Sequence, residues 1–202
     1  MAGGNLRLAE ALAERLPGPV RTRHAVGRVD WTAESTTVKG QGFEVSGDAT
    51  VVTVPATVLR DIRFEPALAE AKLRANRSVD YGHAAKLSVP LQEDAEPSSV
   101  MSVPDRFWCW TARGEGGAVQ PVVSSFTGSA AALEALGVAA GAGLWLDHLA
   151  ELRPDLALSS EGAVITNWDD DRWVRAAYSV ELAGRACDHT GLVEPTGALF
   201  WA

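Results

Sequence analysis

The chain opens with a helical pattern of apolar residues. Residues 5–16 predict a helix because Leu8, Leu12 and Leu16 fall on one face, and Asn5 can cap its first turn. The Pro-Gly-Pro run that follows ends the helix, because proline interrupts helical hydrogen bonding.

Short β patterns come next. Residues 20–30, 36–39 and 43–45 are separated by Glu-Ser and Gly-Gln-Gly breakers, which predicts a small antiparallel meander. Residues 49–55 form a nearly continuous apolar, β-branched run, and such a run predicts a strand buried on both faces.

The rest of the chain alternates helical and β patterns. A helix is predicted from Pro66 to about Asn76, and a mostly helical stretch at 129–152, weakened in its middle by three glycines. The predicted strands are residues 81–91, 106–110, 119–126 and 163–165.

Residues 161–180 combine an apolar start with three consecutive acids and three large aromatics, Trp168, Trp173 and Tyr178. The acids at 169–171 are typical of a solvated turn. On the residues alone, the favoured interpretation is that the aromatics are core residues with one polar handle each.

Composition limits the function classes. The chain has 202 residues, 47% of them hydrophobic and 22% charged, with a net charge of -8, which argues against a nucleic-acid partner. Its four histidines and two cysteines lack metal-ligand spacing, so no metal site is expected. Two scattered cysteines, no secretory leader and no apolar run long enough to cross a membrane predict a cytoplasmic protein.

Lys86 is the most informative single residue. It stands among Ala84, Ala85, Leu87 and Val89 in the predicted strand 81–91. A lysine in such a run points either to solvent or into a site, where burial would be costly without partners.

Several of these features occur in an order that resembles the flavin-containing monoamine and polyamine oxidases. The matching residues are Gly3-Gly4, Leu12, Val26, Asp48, Val51 to Pro55, Gly82, Lys86, Asn167-Trp168 and Tyr178. The resemblance implies an α+β fold with a mixed sheet. It assigns residues 1–65 to part of an FAD-binding lobe (helix, meander and buried strand). Residues 66–202 would be a substrate-binding lobe that returns to the FAD lobe at its C-terminal end.

The resemblance also implies roles for individual residues. Lys86 would be the catalytic lysine that holds a water beside the flavin N5 atom. The backbone at Val26 would meet the adenine end of FAD, Trp168 would contact the cofactor, and Tyr178 would form a wall of the amine cavity. Ala177 stands where covalent members carry a cysteine, so the FAD would be bound noncovalently. Trp108 lies farther from the lysine strand than in the family, which favours a role in sheet packing.

Two cofactor motifs of the family are not found in these 202 residues. No Gly-x-Gly-x-x-Gly turn follows a strand, and residues 195–202 resemble the strand that leads into the second flavin motif. We therefore expect the isolated chain to bind FAD weakly and to be inactive. It would self-associate, or take a subunit that supplies the missing FAD-binding half. The alternative is a noncatalytic binding or scaffold protein that keeps the fold without flavin.

Overall fold

The computed structural model describes residues 4–202, so the predicted match at Gly3 lies outside the described residues. The helices are α1 (Leu6–Ala13), α2 (Ala56–Leu59), α3 (Glu70–Arg77), α4 (Ala130–Ala135), α5 (Gly143–Leu152) and α6 (His189–Val193). The strands are β1 (Val26–Trp31), β2 (Thr36–Gly40), β3 (Phe43–Gly47), β4 (Thr50–Val52), β5 (Arg63–Glu65), β6 (Asp80–Tyr81), β7 (Ala85–Pro90), β8 (Ser99–Ser102), β9 (Phe107–Arg113), β10 (Val119–Thr127), β11 (Val164–Asn167), β12 (Ser179–Val180) and β13 (Leu199–Trp201).

The described chain divides into two compact units that interleave along the sequence. The first unit contains the described residues up to Pro19, together with Gly82–Asp171 and Ala176–Tyr178. The second unit contains Val20–Tyr81, Arg172–Arg175 and Ser179–Ala202. The assignment of residues 1–65 and 66–202 to cofactor and substrate lobes stays a prediction.

A five-stranded antiparallel sheet, ordered β11-β7-β10-β9-β8, is the frame of the first unit. Its core side is set by the two-residue period of the strands: Ala85, Leu87 and Val89 of β7 are all fully buried. They belong to one apolar cluster with Trp145 and Leu149 of α5. The sheet therefore has one face covered by helices, and its other face carries the alternate residues.

The predicted weakness in the helical stretch 129–152 is confirmed as a break between α4 and α5. Ser129 caps α4 by accepting a hydrogen bond from the Ala132 N–H at 3.2 Å. Gly137 (φ 63°) and Gly141 (φ 110°) then take backbone conformations that favour glycine, and they flank a short 3-10 turn. The break turns the chain so that the apolar side chains of both helices reach the same core.

The predicted meander is confirmed in the second unit. Strands β1, β2 and β3 pair antiparallel in sequence order, and β5 adds to β1 in parallel. This sheet is therefore mixed, as expected for the α+β fold. Val29 and Phe64 lie opposite each other in that parallel pair and share a buried cluster with Leu68 and Leu199.

The strand predicted at residues 49–55 is shorter and less buried than expected. Only Thr50–Val52 is a strand, and it pairs in parallel with β13 alone. Val52 is buried against the apolar cluster, whereas Val51 is 61% exposed because the two-stranded sheet is covered on one side only. Burial on both faces was therefore the wrong prediction.

Lys72 is a buried residue whose ammonium binds the backbone at the end of α6, in the segment before β13. Its Nζ atom donates hydrogen bonds to the carbonyl oxygens of Leu192 (3.0 Å) and Glu194 (2.6 Å), and lies 4.7 Å from the ring centroid of Trp201. Burial lowers the pKa of Lys72, while the nearby carboxylates of Glu194 and Asp188 oppose that shift. The ammonium thus replaces missing helix hydrogen bonds at the end of α6.

The predicted N-terminal helix is present as α1, with two differences from the prediction. Asn5 occupies the cap position, but its side chain makes no capping hydrogen bond. The leucines of its apolar face, Leu8 and Leu12, are more than half exposed. Within residues 4–202, no helix has the length and apolar character needed to cross a bilayer.

Candidate active-site surface

Lys86 lies in the middle of β7, on the sheet face that points away from the core. Its chain neighbours Ala85 and Leu87 are fully buried, and alternation places Lys86 on the opposite face, where it is exposed. The register sets it between Thr166 of β11 and Phe126 of β10. The two orientations that the sequence left open are thus decided: the ammonium stands on an accessible sheet face.

Aromatic side chains continue this face beyond Lys86. Phe126 pairs in register with Trp108 of β9, and their ring centroids are 4.6 Å apart at an angle of 38°. Trp108 packs on the sheet, as its spacing predicted, yet it is also 37% exposed on the same face as the lysine. Phe126 was not among the site residues predicted from the sequence. The alternation of β10 puts Phe126 on the side away from the core, but its place beside Lys86 follows only from the pairing of β10 with β7.

The 161–180 segment enters the first unit as β11 and then turns. β11 pairs antiparallel with β7 and ends at Asn167, whose side-chain oxygen accepts a hydrogen bond from the Asp169 N–H. The Asn167 amide group donates to the Asp170 carboxylate at 2.7 Å. Trp168, at the start of this short 3-10 turn, is 41% exposed.

Tyr178 is held by its backbone beside the residues that precede Lys86. The Gly82 N–H donates to the Tyr178 carbonyl oxygen at 2.8 Å, and the Ala177 N–H donates to the Gly82 carbonyl oxygen at 3.0 Å. The Tyr178 side chain itself is 67% exposed. The ring is therefore available to a ligand while its backbone is fixed to the start of the lysine strand.

A histidine–aspartate contact joins the same two segments. His83 Nδ1 lies 2.7 Å from Asp169 Oδ2. The other oxygen, Asp169 Oδ1, is buried and has no hydrogen-bond partner among the described residues. Asp169 directly follows Trp168, and His83 directly follows Gly82. The contact therefore holds the Trp168 turn beside the same short segment that is hydrogen-bonded to Tyr178. No local sequence pattern predicts a contact across 86 positions.

The first prediction concerns this contact. His83→Ala should move the Trp168 indole signal in a ¹⁵N spectrum of the seven tryptophans, because the turn loses its tie to the lysine strand. Unfolding free energy should change by less than about 1 kcal/mol, since the pair is partly exposed. Trp168→Phe assigns the signal.

Two variants control this test. His83→Asn should restore the parent position, because the asparagine amide can place a donor where Nδ1 stands. His148→Ala removes a similar histidine–aspartate pair, with Asp105 at 3.2 Å, and should leave the Trp168 signal unmoved. An unchanged signal in His83→Ala would show that the contact does not position the turn.

Val26 lies in the second unit, where it begins β1 and is partly buried. It lines a cavity of about 620 Å³ whose apolar wall also includes Val54, Val58 and Ile62. The remaining lining residues are polar, charged, small or aromatic: Arg21, Arg23, His24, Ala25, Asp61 and Trp173. The cavity thus combines apolar and cationic lining residues.

The charges of this cavity favour an anion. Asp61 is paired with Arg175 at 2.5 Å, and that guanidinium holds the pKa of Asp61 below its usual value. Arg21 and Arg23 also line the cavity, and Asp61 forms its ion pair with Arg175 rather than with either of them. An apolar wall for a planar base and two guanidinium groups for phosphates fit the chemistry of an adenine dinucleotide.

Comparison with known proteins gives a consistent assignment. The sequence model of the family described as "Flavin containing amine oxidoreductase" matches residues 1–202. A stretch of 97 residues is 32% identical to the flavin-dependent L-tryptophan oxidase RebO of Lentzea aerocolonigenes, covering 46% of this chain and 20% of that protein. A stretch of 92 residues is 34% identical to lysine-specific histone demethylase 1 homolog 2 of Oryza sativa subsp. japonica, covering 44% and 12%.

Solved structures match the fold along almost the whole chain. Cyclohexylamine oxidase from Brevibacterium oxydans IH-35A superimposes with a TM-score of 0.76 at 16% identity, covering 98% of this chain and 45% of that one. Wild-type putrescine oxidase bound to putrescine gives 0.79 at 17% identity, covering 100% and 47%. The chain therefore spans less than half the length of the oxidase structures it matches.

Proposed function

Because this chain belongs to the flavin containing amine oxidoreductases, we propose that it forms the amine-side surface of an FAD-dependent oxidoreductase. The reaction is the oxidation of an amine to an imine with oxygen as the acceptor. The observation that carries the proposal is the position of Lys86: an accessible ammonium on an aromatic sheet face, with Tyr178 hydrogen-bonded to the residues just before it.

The residues of the chain have separate tasks in this proposal. When bound, the flavin supplies the redox chemistry by accepting a hydride equivalent from the amine. Lys86 holds a water molecule and a positive charge beside it. Trp168 contacts the cofactor, and Tyr178 forms an aromatic wall that orients the amine and excludes bulk water.

A separate part of the proposal concerns Val26 of the second unit and the adenine end of FAD. The Val26 backbone faces the adenine end, and the cavity beside it has the apolar wall and the cationic groups that such an end requires. Ala177 offers no nucleophile for attachment, so the cofactor is held noncovalently.

The proposal also covers the compartment of the protein and its assembly with other chains. The two cysteines, Cys109 and Cys187, are both free thiols, which supports a reducing, cytoplasmic compartment. Self-association, or pairing with a subunit that completes the FAD site, is supported by the exposed apolar residues Val51 and Phe200 on the two-stranded β4–β13 sheet.

The second prediction tests the function directly. The enzyme that contains this chain, purified with its cofactor, should be yellow and absorb at about 450 nm, as expected for oxidised flavin. Anaerobic addition of an amine should bleach that band, and admission of oxygen should restore it. A colourless protein that stays colourless after incubation with FAD would favour the noncatalytic scaffold alternative instead.

A further inference from the structure

A cavity of about 740 Å³ lies in the second unit, and all of its lining residues belong to that unit. Helices α2 and α3, strand β5 and the loops between them supply most of its wall. It shares Ile62 with the cavity beside Val26, and no other lining residue is common to the two. We call it the α2–α3 cavity. Its volume falls in the range of sites that bind small organic molecules.

The apolar part of the wall is recessed. Leu59, Phe64 and Leu68 are buried members of the apolar cluster of the second unit, and Leu73 packs against that cluster. All four side chains are therefore set back from the protein surface. A recessed wall of this kind encloses the apolar body of a small ligand, whereas a protein partner needs a broad exposed patch.

Tyr81 contributes a hydrogen-bond donor to the cavity. Its hydroxyl oxygen accepts a hydrogen bond from the Ala56 N–H at 3.1 Å. A tyrosine hydroxyl that accepts one hydrogen bond still has its own O–H to donate. The contact with Ala56 therefore fixes the oxygen atom and leaves the proton for a ligand.

The charged residues that line the cavity in the described chain, Arg60 and Arg77, are both cationic. Arg77 forms an ion pair with Glu70 of its own helix, which offsets its charge. Arg60 directly follows α2, and its chain neighbour Asp61 forms its ion pair with Arg175 instead. The Arg60 guanidinium therefore gives the cavity a positive charge and can bind an anionic head group.

The two polar groups are close enough to bind the same head group. The Ala56 N–H holds the Tyr81 hydroxyl, and Ala56 and Arg60 are four positions apart on α2. They therefore lie on the same side of that helix, about 6 Å apart along its axis. The long arginine side chain can span this distance.

We propose that the α2–α3 cavity binds an amphiphilic carboxylate, such as a fatty acid of medium chain length. The alkyl chain lies against Leu59, Phe64 and Leu68. The carboxylate accepts hydrogen bonds from the Arg60 guanidinium and the Tyr81 hydroxyl. A cationic amphiphile is disfavoured, because its head group meets Arg60 and the described lining contains no carboxylate. The site uses none of the residues assigned to amine binding or catalysis, so the inference does not depend on the proposed function.

The test is isothermal titration calorimetry of the purified protein that contains this chain, with dodecanoate kept below its micelle concentration. We expect one site per chain with a dissociation constant below about 100 μM. Octanoate should bind at least about tenfold more weakly, because four fewer CH₂ groups are buried. Dodecyltrimethylammonium, which has the same tail and a positive head group, should also bind at least about tenfold more weakly than dodecanoate.

Arg60→Gln tests the head group. It should weaken dodecanoate binding by about tenfold, because the charge-assisted hydrogen bonds are lost, and it should not weaken dodecyltrimethylammonium binding. Arg63→Gln is the matched control: Arg63 is an exposed arginine of β5 that pairs with Glu65 and does not line the cavity. It should leave the affinity for dodecanoate within about twofold, because an exposed ion pair contributes little.

Ala67→Trp tests the location. Ala67 is an exposed residue of the lining, so a tryptophan there should occlude the cavity without disturbing the core, and dodecanoate binding should be lost. Ala71→Trp is the control, because Ala71 is an exposed residue of α3 outside the lining. It should bind dodecanoate like the parent. Urea unfolding checks that both variants are folded.

The outcomes are distinct from those that test amine oxidation. A protein that does not bind dodecanoate would overturn the inference. Binding that Ala67→Trp leaves unchanged would also overturn it, because the carboxylate would then lie outside the α2–α3 cavity. Equal affinity for dodecanoate and dodecyltrimethylammonium would contradict the anionic head group. None of these measurements requires turnover, so each result stands whether or not the flavin is reduced by amines.

Discussion

Replacing Lys86 with methionine should slow reoxidation of the reduced flavin by roughly a hundredfold, the usual effect of removing one well-placed polar group from a reacting centre. Methionine keeps most of the length and apolar character of the lysine stem but removes the charge and all three N–H donors. Because Lys86 is exposed on the sheet face that points away from the core, the fold should be unaffected. Amine binding should change by less than about threefold, because the aromatic surface remains in place.

Stopped-flow measurement of the two half-reactions separates these effects. Lys39→Met is the matched control: Lys39 is also a strand lysine, but it belongs to the second unit and pairs with Asp30 and Glu44. It should leave both half-reactions at the parent rate. Equal oxygen reactivity in Lys86→Met and the parent would falsify the catalytic assignment of Lys86.

Trp145→Ala should destabilise the protein by roughly 3–5 kcal/mol, the range for truncating a large aromatic residue in a packed core. Trp145 is fully buried and makes an edge contact with the Phe107 ring, at 6.2 Å between centroids. Its indole N–H has no hydrogen-bond partner among the described residues, so the loss should come from packing alone. Urea unfolding followed by circular dichroism measures the change.

Tyr178→Ala is the informative contrast. The Tyr178 ring is 67% exposed, so its removal should change the unfolding free energy by no more than about 0.5 kcal/mol. The same change should lower the second-order rate of flavin reduction by amines, because the aromatic wall is lost. A destabilisation as large as that of Trp145→Ala would mean that Tyr178 is a core residue, and its assignment to the amine cavity would then be wrong.

Local patterns predicted most of the helices and strands, because the spacing of apolar residues that marks each of them lies within a few consecutive residues. The meander and the glycine-weakened helix are examples. The predicted burial of the strand at 49–55 was wrong, because burial depends on how many strands pair with it, and β4 pairs with β13 in a two-stranded sheet. The buried Lys72 could not be predicted either, because its partners Leu192 and Glu194 lie far along the chain.

The candidate site was predictable in part, for the same reason. Lys86 and Tyr178 were identified by the resemblance to a family, while the orientation of Lys86 follows from its buried neighbours Ala85 and Leu87. Phe126 is different. It stands beside Lys86 only because β10 pairs with β7 in one particular register, and a one-residue slip would have placed Ser125 or Thr127 there.

The parallel pairing of β4 with β13 also has a consequence for biosynthesis. Thr50–Val52 leaves the ribosome roughly 150 residues before Leu199–Trp201, an interval of about 7–30 seconds at ordinary elongation rates. During that time the nascent strand has no pairing partner, so its backbone hydrogen-bonding groups stay open to other chains or to a chaperone, although most of the apolar cluster around Val52 is already synthesised. Slower translation would lengthen this exposure, so the yield of folded protein should depend on the codons between the two strands.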